Sequence, residues 1–189
     1  MSAGPENISH RDEPVPIGGT GGVDPKSARL MKLATYASVA VASLLIVIKA
    51  WAWLKSDSVA LLSSLVDSIL DALASIVNLV AVRHALEPAD AEHRFGHGKV
   101  ESLASLAQAA FIGGSSVFLV FQAIERFIHP QPVENSILGI LVMLASMALT
   151  LVLVLFQRHV VNKTGSVAVS ADSLHYRSDL LVNAGVILA

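Results

Sequence analysis

The sequence predicts an all-α membrane protein, a helical bundle of five transmembrane helices with its N-terminus in the cytoplasm. Three observations predict it. Apolar residues gather in long runs with few charges, as spans of roughly 20 residues crossing a bilayer require. Short segments rich in Pro, Gly, Asn or charge interrupt the runs. Lys and Arg collect at alternate interruptions.

Composition alone would not decide this. The chain of 189 residues is 53% hydrophobic, and a soluble domain is about half apolar too. The net charge of −2, with no basic stripe, excludes nucleic acid as the expected partner. The absence of cysteine excludes disulfides, thiolate metal sites and iron–sulfur clusters. A metal would have to be held by His, Asp, Glu or water.

Residues 1–28 read as a disordered cytoplasmic tail, with three prolines before Gly18 and the run Gly18-Gly19-Thr20-Gly21-Gly22. They hold no apolar stretch of the signal-peptide kind. The first span runs from about Leu30 to Leu54 and the second from about Val59 to Leu86. The polar turn Lys55-Ser56-Asp57 makes these two a helical hairpin. Glu87-Pro88 closes the second span, because proline lacks the N–H that would continue the helix. The third span runs from about Val100 to Ile128 and ends at His129-Pro130-Gln131-Pro132. The fourth runs from about Ile137 to Val161 and ends at Asn162-Lys163-Thr164-Gly165. The fifth runs from about Val167 into Gly185-Val186-Ile187-Leu188-Ala189. The sequence stops inside that apolar run, and a longer protein is expected.

Charge sets the orientation. Arg11, Lys26, Arg29, Lys32, Arg83, Arg94, Lys99, Arg158 and Lys163 fall on one side, and only Lys55 and Arg126 on the other. The excess puts the N-terminus and the second and fourth loops in the cytoplasm. Lys49 lies near the outer end of the first span, where a lysine can snorkel, and is expected to be structural.

The chemistry lies in two pairs spaced by four residues. Asp67 and Asp71 share one face of the second span, and His175 and Asp179 share one face of the fifth, by helical periodicity. Ionisable groups within a membrane core are costly, and their default reading is a site on a transport path. At 1.5 Å per residue, Asp67 and Asp71 lie ~12 and ~18 Å from the start of their span, and His175 and Asp179 the same from theirs. The two spans run in opposite directions, so in a ~30 Å core Asp71 is level with His175, and Asp67 with Asp179. Four ligands from two antiparallel helices make a tetrahedral metal site near mid-membrane. One imidazole with three carboxylates suits Zn²⁺, Fe²⁺, Mn²⁺ or Cd²⁺ better than Cu⁺. Ca²⁺ wants six to eight oxygens. Protons compete with the metal for the same atoms, which is the physical basis of metal-for-proton exchange.

Other polar residues carry weaker signals. Asp172 shares the His175 face and either lines the cytoplasmic entrance or serves the start of its helix. Asn78 is expected to hydrogen-bond between helices. Glu101 and Gln108, seven apart, share one side of the third span. The small residues Gly113-Gly114-Ser115-Ser116 are expected to allow close packing, within the subunit or between subunits. His84, His129 and His159 stand at span ends and receive no role. In the second loop, Asp90, His93 and His97 have spacing that can ligate a metal, although polar loops often hold histidines without one.

Three segments carry a family resemblance: Leu65-Val66-Asp67-Ser68-Ile69-Leu70-Asp71, then Pro88-Ala89-Asp90 through His93-Arg94-Phe95-Gly96-His97-Gly98-Lys99-Val100-Glu101, and Ala171-Asp172-Ser173-Leu174-His175-Tyr176-Arg177-Ser178-Asp179. From about Leu30 to Ala189 the chain resembles the cation diffusion facilitators, most closely the bacterial zinc/ferrous-iron efflux branch. The resemblance implies that residues 29–189 are a cation efflux transmembrane domain lacking its usual sixth helix and C-terminal cytoplasmic domain. It implies that Asp67, Asp71, His175 and Asp179 form the transport site, with the His favouring Zn²⁺ or Cd²⁺. It implies that Asp90, His93 and His97 form a second, cytoplasmic-loop metal site, and that Lys99 makes a charge interlock with the C-terminal part. It further implies a multi-pass homodimer of the inner membrane. Such a dimer works by alternating access and exports Zn²⁺, or Fe²⁺ or Cd²⁺, from the cytoplasm in exchange for protons. The metal is cargo, no cofactor is expected, and no enzyme activity is expected. The rival classes are a membrane metalloenzyme, which would keep an open ligand position and a separate general base, and a metal-binding membrane fragment that does not transport.

Overall fold

The computed structural model describes residues 23–88, 97–128 and 137–188. Five helices make up these residues: α1 Pro25–Ser56, α2 Val59–Ala85, α3 Lys99–Ile128, α4 Ile137–Thr164 and α5 Val167–Leu188. The expected bundle is therefore present, and its breaks fall where the sequence places them. Three helices, α1, α2 and α4, are long and apolar enough to cross a membrane. The other two reach 30 and 22 residues, and they carry the polar groups Gln108, Asp172, His175 and Asp179 into the bundle.

Local chemistry explains each boundary. Asp24 caps α1 by accepting from the N–H groups of Lys26 and Ser27, both at 3.2 Å. Pro25 follows at the first helical position, where its missing N–H costs nothing. The cap starts the helix four residues earlier than composition suggested, so residues 25–28 are helical rather than part of the tail. At the other end Asp57 adopts φ 53° and returns its N–H to the Trp53 carbonyl at 2.8 Å. A short polar side chain is among the few that tolerate this left-handed conformation, and it turns the chain directly into α2. Gly165 does the same between α4 and α5, with φ 66° and its N–H on the Val161 carbonyl at 2.8 Å, a helix stop suited to glycine.

The start of α5 is tied to α3. The Ser166 hydroxyl accepts from Val169 N–H at 3.2 Å. Glu101 of α3 accepts from the Ser166 hydroxyl and from Ala168 N–H, the latter at 3.1 Å. A carboxylate at a helix N-terminus is favoured by the backbone dipoles there. Glu101 and Gln108 thus share one polar side of α3, as their spacing predicts, and that side faces α5.

The helices close a ring in the order α1, α2, α3, α5, α4, with α2 and α5 also touching across it. Small apolar clusters hold the ends. Met31, Ala34, Val82, Val160, Ala168 and Val169 pack at one, and Ala52, Leu61 and Val142 at the other. Large apolar side chains such as Val47, Leu54, Val80, Leu106 and Val152 point outward. That much exposed apolar surface suits hydrocarbon rather than water. Gly113 and Gly114 face open space, where an added Cβ would meet nothing within 4 Å, so close packing inside the subunit does not account for them.

Candidate metal site within the bundle

The contact between α2 and α5 brings the spaced pairs together. His175 Nε2 lies 3.0 Å from Asp71 Oδ1 and 3.7 Å from Asp179 Oδ2. One ligand atom from each of Asp71, His175 and Asp179 lies within 4.8 Å of the others. The predicted level of Asp71 with His175 is thus matched by a direct contact between helices. Asp67, one turn away on α2, stands outside this tight trio, but lines the same cavity of about 110 Å³. Ser64, Ser115 and Asn183 add polar atoms to its wall. A cavity of this size holds an ion with a few waters, each of which needs ~10–15 Å³.

Burial grades across the set. The His175 side chain is 4% exposed, that of Asp71 20% and that of Asp179 35%, so the imidazole is fixed while the carboxylates keep access to the cavity. The Phe111 ring stands edge-on to His175, centroids 6.1 Å apart. The next residue, Tyr176, is fully buried and bonds Ser75 of α2 at 2.8 Å. These contacts set the position of α5 against α2 beside the ligands. Asp179 Oδ2 is buried with no hydrogen-bond partner among the described residues. A buried carboxylate oxygen without a hydrogen bond is costly, and a cation beside it would offset that cost.

Lys49 does not snorkel as expected. Its Nζ donates to the Ser68 hydroxyl at 2.7 Å and the Ser64 carbonyl at 3.1 Å, and the side chain lines the cavity with the carboxylates. It points to α2 instead of snorkelling to the membrane surface. The signal in the sequence was a cation within the first span, beside a second span with two acids.

Asp172 neither lines the cavity nor serves the start of α5. It is 1% exposed and accepts from Ser38 at 2.6 Å, Gln157 at 2.7 Å and Gln108 at 3.0 Å. The carboxylate thereby joins α1, α4 and α3 to α5. Asn78 is buried, and its Nδ2 makes no hydrogen bond among the described residues. In the second loop, Asp90 and His93 lie outside the described residues. His97 is described and buried just before α3. Lys99 is exposed at the start of α3.

Fold and site together define a multi-pass helical membrane protein with a carboxylate–imidazole cluster between two of its helices. The chain matches the cation efflux transmembrane domain over residues 35–189 and belongs to that family. It is 55% identical over 159 residues to a protein of Shewanella oneidensis named cation-efflux pump FieF, covering 84% of this chain and 54% of the relative. Proteins of the same name from Yersinia enterocolitica and Yersinia pestis are 49% identical over 167 residues, 88% of this chain and 56% of each relative. The chain spans about half the length of the relatives it matches.

Proposed function

We propose that the chain is the membrane part of a secondary transporter that exports Zn²⁺, and Fe²⁺ or Cd²⁺, from the cytoplasm in exchange for protons. Family membership carries cation efflux, and the relatives are named as pumps rather than enzymes. One observation carries the finer reading: ligand atoms of Asp71, His175 and Asp179 cluster within 4.8 Å in the cavity that Asp67 lines. One imidazole among carboxylates suits a borderline divalent ion. The same atoms bind protons, so metal entry releases protons and protonation releases metal. Asp71, Asp179 and His175 are the proposed ligands, with Asp67 closing the shell. Asp90, His93 and His97 are the proposed loop site. The Lys and Arg distribution supports a cytoplasmic N-terminus, and the inner membrane is the proposed location. A homodimer is the proposed assembly, consistent with the unpacked Gly113 and Gly114 face of α3.

The test is flux. Vesicles holding the protein and a zinc-sensitive dye should take up Zn²⁺ when a pH gradient drives it, and Asp71→Ala should abolish the uptake. Undiminished proton-driven uptake by that variant would overturn the site assignment.

A further inference from the structure

Three neutral polar side chains share the cavity with the charged cluster and bond to nothing around them. Ser64 of α2, Ser115 of α3 and Asn183 of α5 line the same wall as the carboxylates and His175. A serine within a helix often returns its hydroxyl to the carbonyl four residues back. Ser43, Ser105, Ser116 and Ser178 all do so, at 2.8, 2.9, 2.8 and 3.0 Å. The hydroxyls of Ser64 and Ser115 and the side-chain amide of Asn183 make no hydrogen bond among the described residues. Their polar atoms are left for whatever fills the cavity.

The three also share one level. Helices α3 and α5 start at the same end of the bundle, where Glu101 accepts from Ala168 N–H. Ser115 is 16 residues beyond Lys99, and Asn183 is 16 beyond Val167, which is ~24 Å along each helix. Ser64 is 5 residues into α2 from the opposite end, which is ~22 Å on the same scale in a ~30 Å core. Asp71 and His175 lie at ~12 Å, and Asp67 and Asp179 at ~18 Å. The face of α5 therefore reads His175, Asp179, Asn183 at intervals of four residues, with the charge ending one turn beyond the cluster.

We propose that Ser64, Ser115 and Asn183 form a neutral collar that receives the divalent cation as it leaves the carboxylate–imidazole cluster. This role rests on the transport reading of that cluster. An ion held by carboxylates and an imidazole must trade those ligands for water before it can leave. Amide and hydroxyl oxygens ligate a cation, or hold the water that does, without adding charge. Binding at the collar is therefore weak enough to be released from, as passage through a site requires. The cavity of about 110 Å³ has room for the ion with several waters. On the proposed orientation the collar lies on the outer side of the cluster, and Asn183, one turn from Asp179, is its principal positioning residue.

Two measurements on the full chain test the collar: equilibrium Zn²⁺ titration in detergent, and the maximal rate of proton-driven Zn²⁺ uptake into vesicles. Asn183→Ala and Ser64→Ala/Ser115→Ala should each lower the rate by about tenfold, the worth of a hydrogen bond to a charged group, with parent-like affinity. Asn183→Ser, which restores an oxygen, should recover most of the rate. Asn183→Asp puts a further carboxylate beside the ion and should tighten zinc binding by about tenfold while slowing uptake. Circular dichroism confirms folding, and the serine pair and Asn183 probe the collar independently. Parent-like rates in both alanine variants overturn the proposal. So does an Asn183→Ser variant no faster than Asn183→Ala, or an unchanged affinity in Asn183→Asp. Absence of uptake by the parent chain would instead sink the transport reading, and the Asn183→Asp titration, which needs no flux, would still decide whether the collar lies within reach of the bound ion.

Discussion

Lys49 Nζ on α1 donates to the Ser68 hydroxyl on α2 at 2.7 Å, and the Lys49 side chain lines the cavity that Asp67, Asp71 and Asp179 also line. A tethered ammonium therefore shares the field of the carboxylates that would ligate a metal. It offsets their repulsion when no metal is bound, and competes with an entering ion. Lys49→Met should tighten Zn²⁺ binding by about tenfold, or ~1.4 kcal/mol, and slow turnover because release becomes the harder step. Lys49→Arg should stay closer to the parent. Zinc titration beside vesicle flux checks both, and an unchanged affinity in Lys49→Met would count against a cation role.

His175 is the one nitrogen donor in the trio with Asp71 and Asp179. Replacing it by a carboxylate leaves oxygen ligands only, which suit harder ions such as Mn²⁺ better than Zn²⁺ or Cd²⁺. His175→Asp should therefore lower zinc flux at least about tenfold while raising the ratio of Mn²⁺ to Zn²⁺ transport. Competition flux with both metals measures that ratio. Selectivity unmoved by the change would show that the imidazole does not touch the ion.

Much of this arrangement was legible in the sequence, for physical reasons that also mark the limit. Pro88, Gly165 and the Lys55–Asp57 turn interrupt helical hydrogen bonding locally, so helix ends could be read to within a few residues. The spacing of four and the rise per residue placed Asp71 level with His175, and the two touch at 3.0 Å. What stayed hidden depends on which helices adjoin. Asp172 draws its donors from Ser38, Gln108 and Gln157 on three other helices, and no local pattern encodes the ring order that brings them together. The aim of Lys49 depends on the α1–α2 hairpin contact. Asp67 was expected as the fourth ligand; it lines the same cavity, one turn from the Asp71–His175–Asp179 trio.

Competition between protons and metal gives the pH dependence its sign. Carboxylate and imidazole nitrogen must be unprotonated to ligate. Lowering the pH therefore weakens Zn²⁺ binding, and raising it strengthens binding until the ligands are fully deprotonated. Each proton displaced adds about one tenfold change in affinity per pH unit. Titrations between pH 5.5 and 8 should show affinity falling on the acid side, with Asp179→Asn flattening the slope. A pH-independent affinity would remove the basis for coupling.

Asp172 should matter for stability without being a ligand. Its Oδ1 accepts from Gln108, and its Oδ2 from Ser38 and Gln157. In Asp172→Asn one of those oxygens becomes an NH₂ that faces a donor, in a site that is 1% exposed. A buried polar group left unsatisfied costs about 1–3 kcal/mol, so the variant should melt at lower temperature in detergent. Its Zn²⁺ affinity should change little, because the carboxylate lies outside the Asp71–His175–Asp179 cluster. Thermal unfolding followed by circular dichroism, with and without Zn²⁺, separates the roles. Parent-like melting with a lost zinc equivalent would make Asp172 a metal ligand instead of the clasp that holds α5 to α1, α3 and α4.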